Sequence, residues 1–192
     1  MSAPARREQL LDVTSEIVGE AGFVAVSVQS VARRAGVSRP IVYEHFGDLN
    51  GLLTALVERE TLRALDQVRE TTLRDLSEGD PIELMIESLT TYLAVVEQHP
   101  TTWRMVLMPP EGAPEMLRKS IVRGRAAVLD SLTNAVRPAS MTGEEAPDPE
   151  MTARILSAIA DEYARLVLTD PERFPPERLL KHARWWLGQV TT

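Results

Sequence analysis

The chain has 192 residues, 44% hydrophobic and 26% charged, which is the make-up of an ordinary globular protein and not of a disordered one. It contains no cysteine, so a disulfide framework, a thiolate nucleophile and a Cys-ligated metal site are excluded, and the cytoplasm is the expected compartment. The opening MSAPARREQLLDV carries no apolar run behind its arginines, and nothing approaches the roughly 18 consecutive apolar residues of a membrane span, so neither export nor membrane embedding is expected.

A net charge of -7 argues at first against a nucleic-acid partner, because neutralising phosphates is the main sequence-independent source of DNA affinity. The distribution changes that reading. Residues 1–47 balance Arg6, Arg7, Arg33, Arg34 and Arg39 against Glu8, Asp12, Glu16, Glu20 and Glu44, so the excess acid lies beyond residue 47.

Taken in chain order, Leu10, Val13, Thr14, Ile17, Val18 and Ala21 recur at helical spacing, and Gly22 is a stop. Ser27 is placed to cap a short second helix whose stripe is Val28, Val31, Ala32 and Ala35 before Gly36. Ser38 is placed to cap a third helix from about Arg39 to Phe46, with Pro40 tolerated in its first turn. Asp48 is positioned to cap a fourth, striped by Leu49, Leu52, Leu53, Leu56, Leu62, Leu65 and Val68, in which Gly51 is expected to cost about 1 kcal/mol relative to alanine.

A break at Ser77–Pro81 precedes a helix begun by Asp80, Pro81 and Glu83 in the manner of a capping box. That helix carries Ile82, Met85, Ile86, Leu89, Leu93 and Val96 to His99-Pro100. A short helix around Trp103, a proline-rich loop from Met108 to Pro114 and a helix through Leu117, Ile121, Val128 and Leu132 follow. A polar linker from Pro138 to Pro149 leads to a helix with Ile155, Ile159, Tyr163 and Leu166, and then to a last one with Leu179, Ala183, Trp186 and Leu187. The chain therefore reads as all-α, with about nine helices and no strand pattern or repeat.

Val28 to Phe46 is the informative segment: two short helices joined by Gly36-Val37-Ser38. That turn supplies a residue free to take positive φ, an apolar plug and a cap, the parts of a helix-turn-helix whose second helix enters the major groove. Val42 and Phe46 would face inward with Val37, leaving Arg39, Pro40, Tyr43 and Glu44 outward. An exposed arginine one turn from an exposed tyrosine suits base and phosphate contact.

The stretch VQSVARRAGVSRPIVYEHFGDLNGLL resembles the DNA-binding signature of the TetR family of bacterial repressors. Ala32, Ala35, Gly36, Val37, Ser38, Tyr43, His45, Phe46, Leu52 and Leu53 carry the resemblance, which covers about the first quarter of the chain. It implies phosphate contacts from Ser27 and Tyr43 and base-edge contacts from Gln29, Arg39, Pro40 and Ile41, with His45 nearby; with Ser38 these form the expected DNA-binding set. One departure stands out: a lysine usually begins the fourth helix and touches a phosphate, and Leu49 stands there instead.

The resemblance also implies a helix-turn-helix domain over residues 1–47, followed over 48–192 by a helical ligand-binding and dimerisation domain. Tyr92, Trp103, Met105, Glu162 and Tyr163 are candidates for a ligand pocket, although aromatic and methionine residues at this spacing equally build cores. Glu162 falls on an apolar helix side, where it would either pair with an arginine such as Arg125 or meet a ligand. Arg33 and Arg34 are open to both a phosphate role and a merely solvated one.

A single short recognition helix covers too few base edges for tight specificity, so a homodimer on a palindromic operator is expected. Ile155, Ile159, Leu166, Leu179, Ala183 and Leu187 are its candidate interface. The expected function is a regulator of transcription, a repressor released from double-stranded operator DNA by a small-molecule effector, with activation not distinguished. The alternative of a helical enzyme or carrier lacks any phosphate loop, H-E-x-x-H or G-x-S-x-G element, and three scattered histidines give no metal site. No cofactor is expected.

Overall fold

The computed structural model describes residues 1–71, 79–109, 113–137 and 148–190, the side chains of 68–71 and 190 excepted. The expected linker after Pro138, the centre of the expected proline-rich loop at 110–112 and the first residues of the break at Ser77 lie outside the described residues. So do the side chains of Val68 and Val190.

Nine α-helices and no strand occur among the described residues: α1 (Ala3–Ala21), α2 (Val28–Ala35), α3 (Arg39–Phe46), α4 (Leu49–Thr71), α5 (Pro81–Gln98), α6 (Pro100–Leu107), α7 (Glu115–Val136), α8 (Pro149–Thr169) and α9 (Pro176–Val190). The all-α expectation holds, and a 3-10 turn at Phe23–Ala25 is the one further helical element between α1 and α2.

The chain forms two compact units. One gathers residues 1–64 and 101–122, the other 65–100 and 123–192. In the first, α1 packs on α2 and α2 on α3, and Leu10, Leu11, Val18, Phe23, Val31 and Val42 close a core that α4 completes with Leu52, Leu56 and Val57. Met105 of α6 and Leu117 of α7 belong to the same core. In the second unit α5 is central. Its Met85, Ile86, Leu93 and Val96 are buried, and both α8 and α9 pack against it.

Local chemistry accounts for the helix boundaries. Ser27 and Ser30 form a reciprocal capping box at α2, with the Ser30 amide donating to Ser27 Oγ and the Ser27 amide to Ser30 Oγ, each at 2.9 Å. Asp48, Asp80 and Asp148 each accept from an amide of the helix they precede, at 2.7 to 2.9 Å. Each cap satisfies an amide that the first turn leaves without an intrahelical partner. At α5 the capping box is incomplete, since Glu83 pairs with Arg184 of α9 and not with its own cap.

Two expectations about α4 are corrected. Leu62 is 61% exposed, because the inward seam runs at four-residue steps through Leu52, Leu56, Glu60 and Ala64 and leaves it outside. Gly51 is not a tolerated defect: a Cβ there would lie 2.1 Å from the Phe46 carbonyl oxygen, so only glycine allows α4 to start this close to the end of α3.

Candidate nucleic-acid interface

α2 and α3 present the expected set largely as the sequence places it. Gly36 takes the left-handed conformation (φ 67, ψ 33) that turns the chain between them, and Val37 packs against the core as the plug. Val42 is buried and Phe46 half-buried, which fixes the orientation of α3 and turns Ser38, Arg39, Pro40, Tyr43 and Glu44 outward. Tyr43 is 49% exposed, a large side chain held in solvent beside the turn. Ser27 and Gln29 are exposed at the start of α2, while Ile41 and His45 are half-buried at the edge of the α3 face.

Ser38 departs from expectation. It occupies the cap position of α3, where its carbonyl accepts from the Ile41 amide at 3.1 Å, but its hydroxyl makes no capping hydrogen bond. The hydroxyl is therefore available to an external acceptor.

Ion pairing divides the arginines of this unit into held and available cations. Arg34 of α2 forks onto Glu20 of α1 with two contacts of 2.6 Å and lies 3.7 Å from Glu16, and its hydrogen bonds hold the Glu20 carboxyl below the usual carboxylate range. Arg34 is thereby a brace between α1 and α2, a role outside the two expected for it. Arg33 and Arg39, both exposed, make no ion pair with any described residue. Since Glu16 and Glu20 turn to Arg34, and Glu8 and Asp12 to Arg59, the acids of α1 are matched by arginines away from α3.

A buried group that sequence reasoning missed supports this unit from behind. Glu60 of α4 is 1% exposed, pairs with Arg59 at 2.8 Å and Arg63 at 3.3 Å, and accepts from the Thr102 hydroxyl of α6. Arg59 continues to Asp12 and Glu8 on α1 at 2.8 and 3.2 Å. Burial alone would lower the Arg59 pKa, and the surrounding carboxylates outweigh it and hold the guanidinium above its ordinary value. Three helices are thus tied by one polar network. The available signal was Glu60's place four residues after Leu56 in an otherwise apolar seam.

The expected pocket residues divide between the two units. Trp103 and Met105 are buried in the first unit, where Met105 also lines a small open hollow of 240 Å³ with Val18, Gly19, Gly22, Thr101, Arg104 and Met108. Tyr92, Glu162 and Tyr163 belong to the second. The premise that Glu162 faces inward is corrected: its side chain is 60% exposed and pairs with Arg165 at 3.2 Å, because α8 turns Tyr163, Ala164, Val167 and Leu168 to the core.

Its neighbour Asp161 takes the role expected of Glu162. Asp161 accepts from the Tyr92 hydroxyl of α5, pairs with Arg125 of α7 at 2.9 Å and lies 3.9 Å from Arg165. Burial raises the Asp161 pKa against the pull of both arginines, and burial likewise raises that of Tyr92. Tyr163, buried on α8, shares a 2.7 Å hydrogen bond with His182 Nδ1 of α9.

Of the expected interface residues, Leu179, Ala183 and Leu187 are buried inside their own unit, since the face of α9 that bears them packs on α5. Ile155 is 47% exposed, and Ile159 and Leu166 are half-buried. Met151 on α8 and Trp185 on α9, exposed at 53% and 61%, lie outside the expected set.

The family model of the bacterial regulatory proteins of the tetR family matches residues 10–56, a range that contains α2, α3 and the start of α4. The HTH-type transcriptional regulator BetI of Yersinia pestis is 41% identical over 78 residues, 41% of this chain and 39% of that relative. A TetR-like transcriptional regulator from Rhodococcus sp. RHA1 shares the fold over the full length of both chains, with a TM-score of 0.78 at 20% identity. Residues 10–56 thus carry the N-terminal domain of the tetR family of bacterial regulatory proteins. The chain's match to BetI spans about two fifths of that relative's length. The SmeT–triclosan complex shares this fold as well, 27% identical with a TM-score of 0.69 over 93% of this chain and 90% of that one. No helix among the described residues is long and apolar enough to cross a membrane.

Proposed function

We propose that this chain is a TetR-family repressor that binds a palindromic operator as a homodimer through α2 and α3 and leaves it when a small molecule binds. The observation that carries the DNA-binding part is the α3 face, where unpaired Arg39 and exposed Tyr43 project from a helix locked by Val42 and Phe46. Arginine reads guanine edges bidentately in the major groove, and a tyrosine hydroxyl suits a phosphate. The face covers one half-site, so specificity requires a second copy related by a two-fold axis.

The dimer contact we assign to Met151, Ile155 and Ile159 of α8 with Trp185 of α9, the apolar side chains that the second unit leaves at its surface. The effector reading draws on SmeT, crystallised with triclosan, and on the Tyr92, Asp161 and Arg125 group in the second unit. A hydroxyl, a carboxylate and a guanidinium brought together in this way offer hydrogen-bonding handles to a small aromatic or amphipathic ligand. Release requires the ligand to prefer the arrangement of the two copies that does not fit DNA.

Selection of bound sequences from random duplex DNA tests the reading. An inverted repeat with half-site centres about one helical turn, or a multiple of it, apart is expected. A consensus without two-fold symmetry, or none, overturns it.

A further inference from the structure

We propose that Arg7, on the first helix, is a DNA-phosphate contact at the end of the recognition helix opposite Arg39. The Arg7 guanidinium lies 5.2 Å from the ring centroid of Phe46, the last residue of α3. Phe46 is packed against the core and so is a fixed platform. Stacking on an aromatic face orients a guanidinium without neutralising it, and leaves its in-plane N–H groups free for an anion.

The surrounding charges leave Arg7 available. Among the described residues its one ion-pair partner is Glu8, at 4.0 Å, and the other oxygen of Glu8 is engaged 3.2 Å from Arg59 and 3.9 Å from Arg63. The Arg7 side chain is 44% exposed, whereas that of Arg59 is 11% exposed and committed to three carboxylates. Arg34 is held by Glu20. Residues 47–54, where α3 gives way to α4, contain no cation: Leu49 packs against the core, and the one charge, Asp48, is spent on the Gly51 amide.

α3 has eight residues, about 12 Å of helix. Arg39 stands in its first turn and Arg7 beside its last, so a cation flanks the outward Tyr43 and Glu44 at each end. Without Arg7, the far end of the helix would present His45 together with the carboxylates of Glu44 and Asp48, with no lysine or arginine from residues 44–54.

This proposal rests on α3 being the DNA-reading helix, and the test separates the two. Affinity for the selected operator is measured across a salt series for the full-length wild type, Arg7→Gln, Arg7→Lys and Arg39→Ala, with urea unfolding alongside. Arg7→Gln is expected to weaken operator and unrelated duplex DNA alike, and to reduce the steepness of log K against log salt by about 0.9 per subunit. Arg7→Lys is expected to keep the slope. If Arg39→Ala weakens binding while Arg7→Gln leaves affinity and slope unchanged, the Arg7 contact is overturned, whether or not the unfolding midpoint falls. If neither substitution affects binding, the assignment of α3 itself fails and takes the Arg7 contact with it.

Discussion

Gly51 shows how a single position can reverse an ordinary preference. In an open helix interior, replacing glycine by alanine gains about 1 kcal/mol. Here the new methyl carbon would meet the Phe46 carbonyl oxygen at 2.1 Å, a backbone atom that moves only by shifting the end of α3. Overpacking of this kind costs about 1–3 kcal/mol, more than the propensity gain, so Gly51→Ala is expected to lower the urea unfolding free energy. A stabilised Gly51→Ala protein would show that α3 and α4 are not so closely joined. Glu60 illustrates the opposite failure of legibility: a carboxylate in an apolar seam reads as a surface residue until Arg59, Arg63 and Thr102 are seen around it. Those partners come from three separate stretches of chain when Asp12 is included, and no local pattern brings them together.

At the scale of elements, α2 and α3 were the most legible part of the chain. Their boundaries depend on local chemistry, namely the side-chain cap at Ser27, the extended backbone at Ser38, the turn at Gly36 and the proline in the first turn of α3. The outward side of α3 followed from its spacing alone, because Val42 and Phe46 are four residues apart and both apolar. α6 was less legible. Its Trp103 and Met105 pack in the unit that contains α1 to α3, apart from Tyr92 and Tyr163, a long-range choice that periodicity does not encode. The same limit applies to α8, where a one-residue difference in facing exchanges Glu162 for Asp161 as the carboxylate that meets Tyr92 and Arg125. It applies again to α9, whose Leu179, Ala183 and Leu187 stripe is apolar for a reason internal to its own unit.

At the scale of the whole molecule, two properties follow from assembly. In the proposed dimer, Ile155→Arg places a charge in an apolar contact without disturbing the core, since Ile155 is 47% exposed in the single chain. Light scattering at micromolar concentration is expected to find the wild type dimeric and Ile155→Arg monomeric, with helical content unchanged by circular dichroism. A wild type that is monomeric, or an Ile155→Arg protein that remains dimeric, contradicts that interface. Ala183→Arg, by contrast, is expected to unfold the protein, because Ala183 is buried against α5. The second property is DNA recognition by a chain of net charge -7. It is workable because the acids of α1 are engaged chiefly by Arg34 and Arg59, leaving Arg39 without an ion pair among the described residues and Arg7 with only the 4.0 Å approach of Glu8 beside α3. The most direct measurement is the affinity of wild type and Arg39→Ala for the selected operator and for an unrelated duplex of equal length. The wild type should prefer the operator by about 10³-fold or more, and Arg39→Ala should lose about 1–3 kcal/mol on the operator and less on the unrelated duplex. Equal wild-type affinity for both duplexes, or an Arg39→Ala protein with undiminished preference, would contradict recognition through α3.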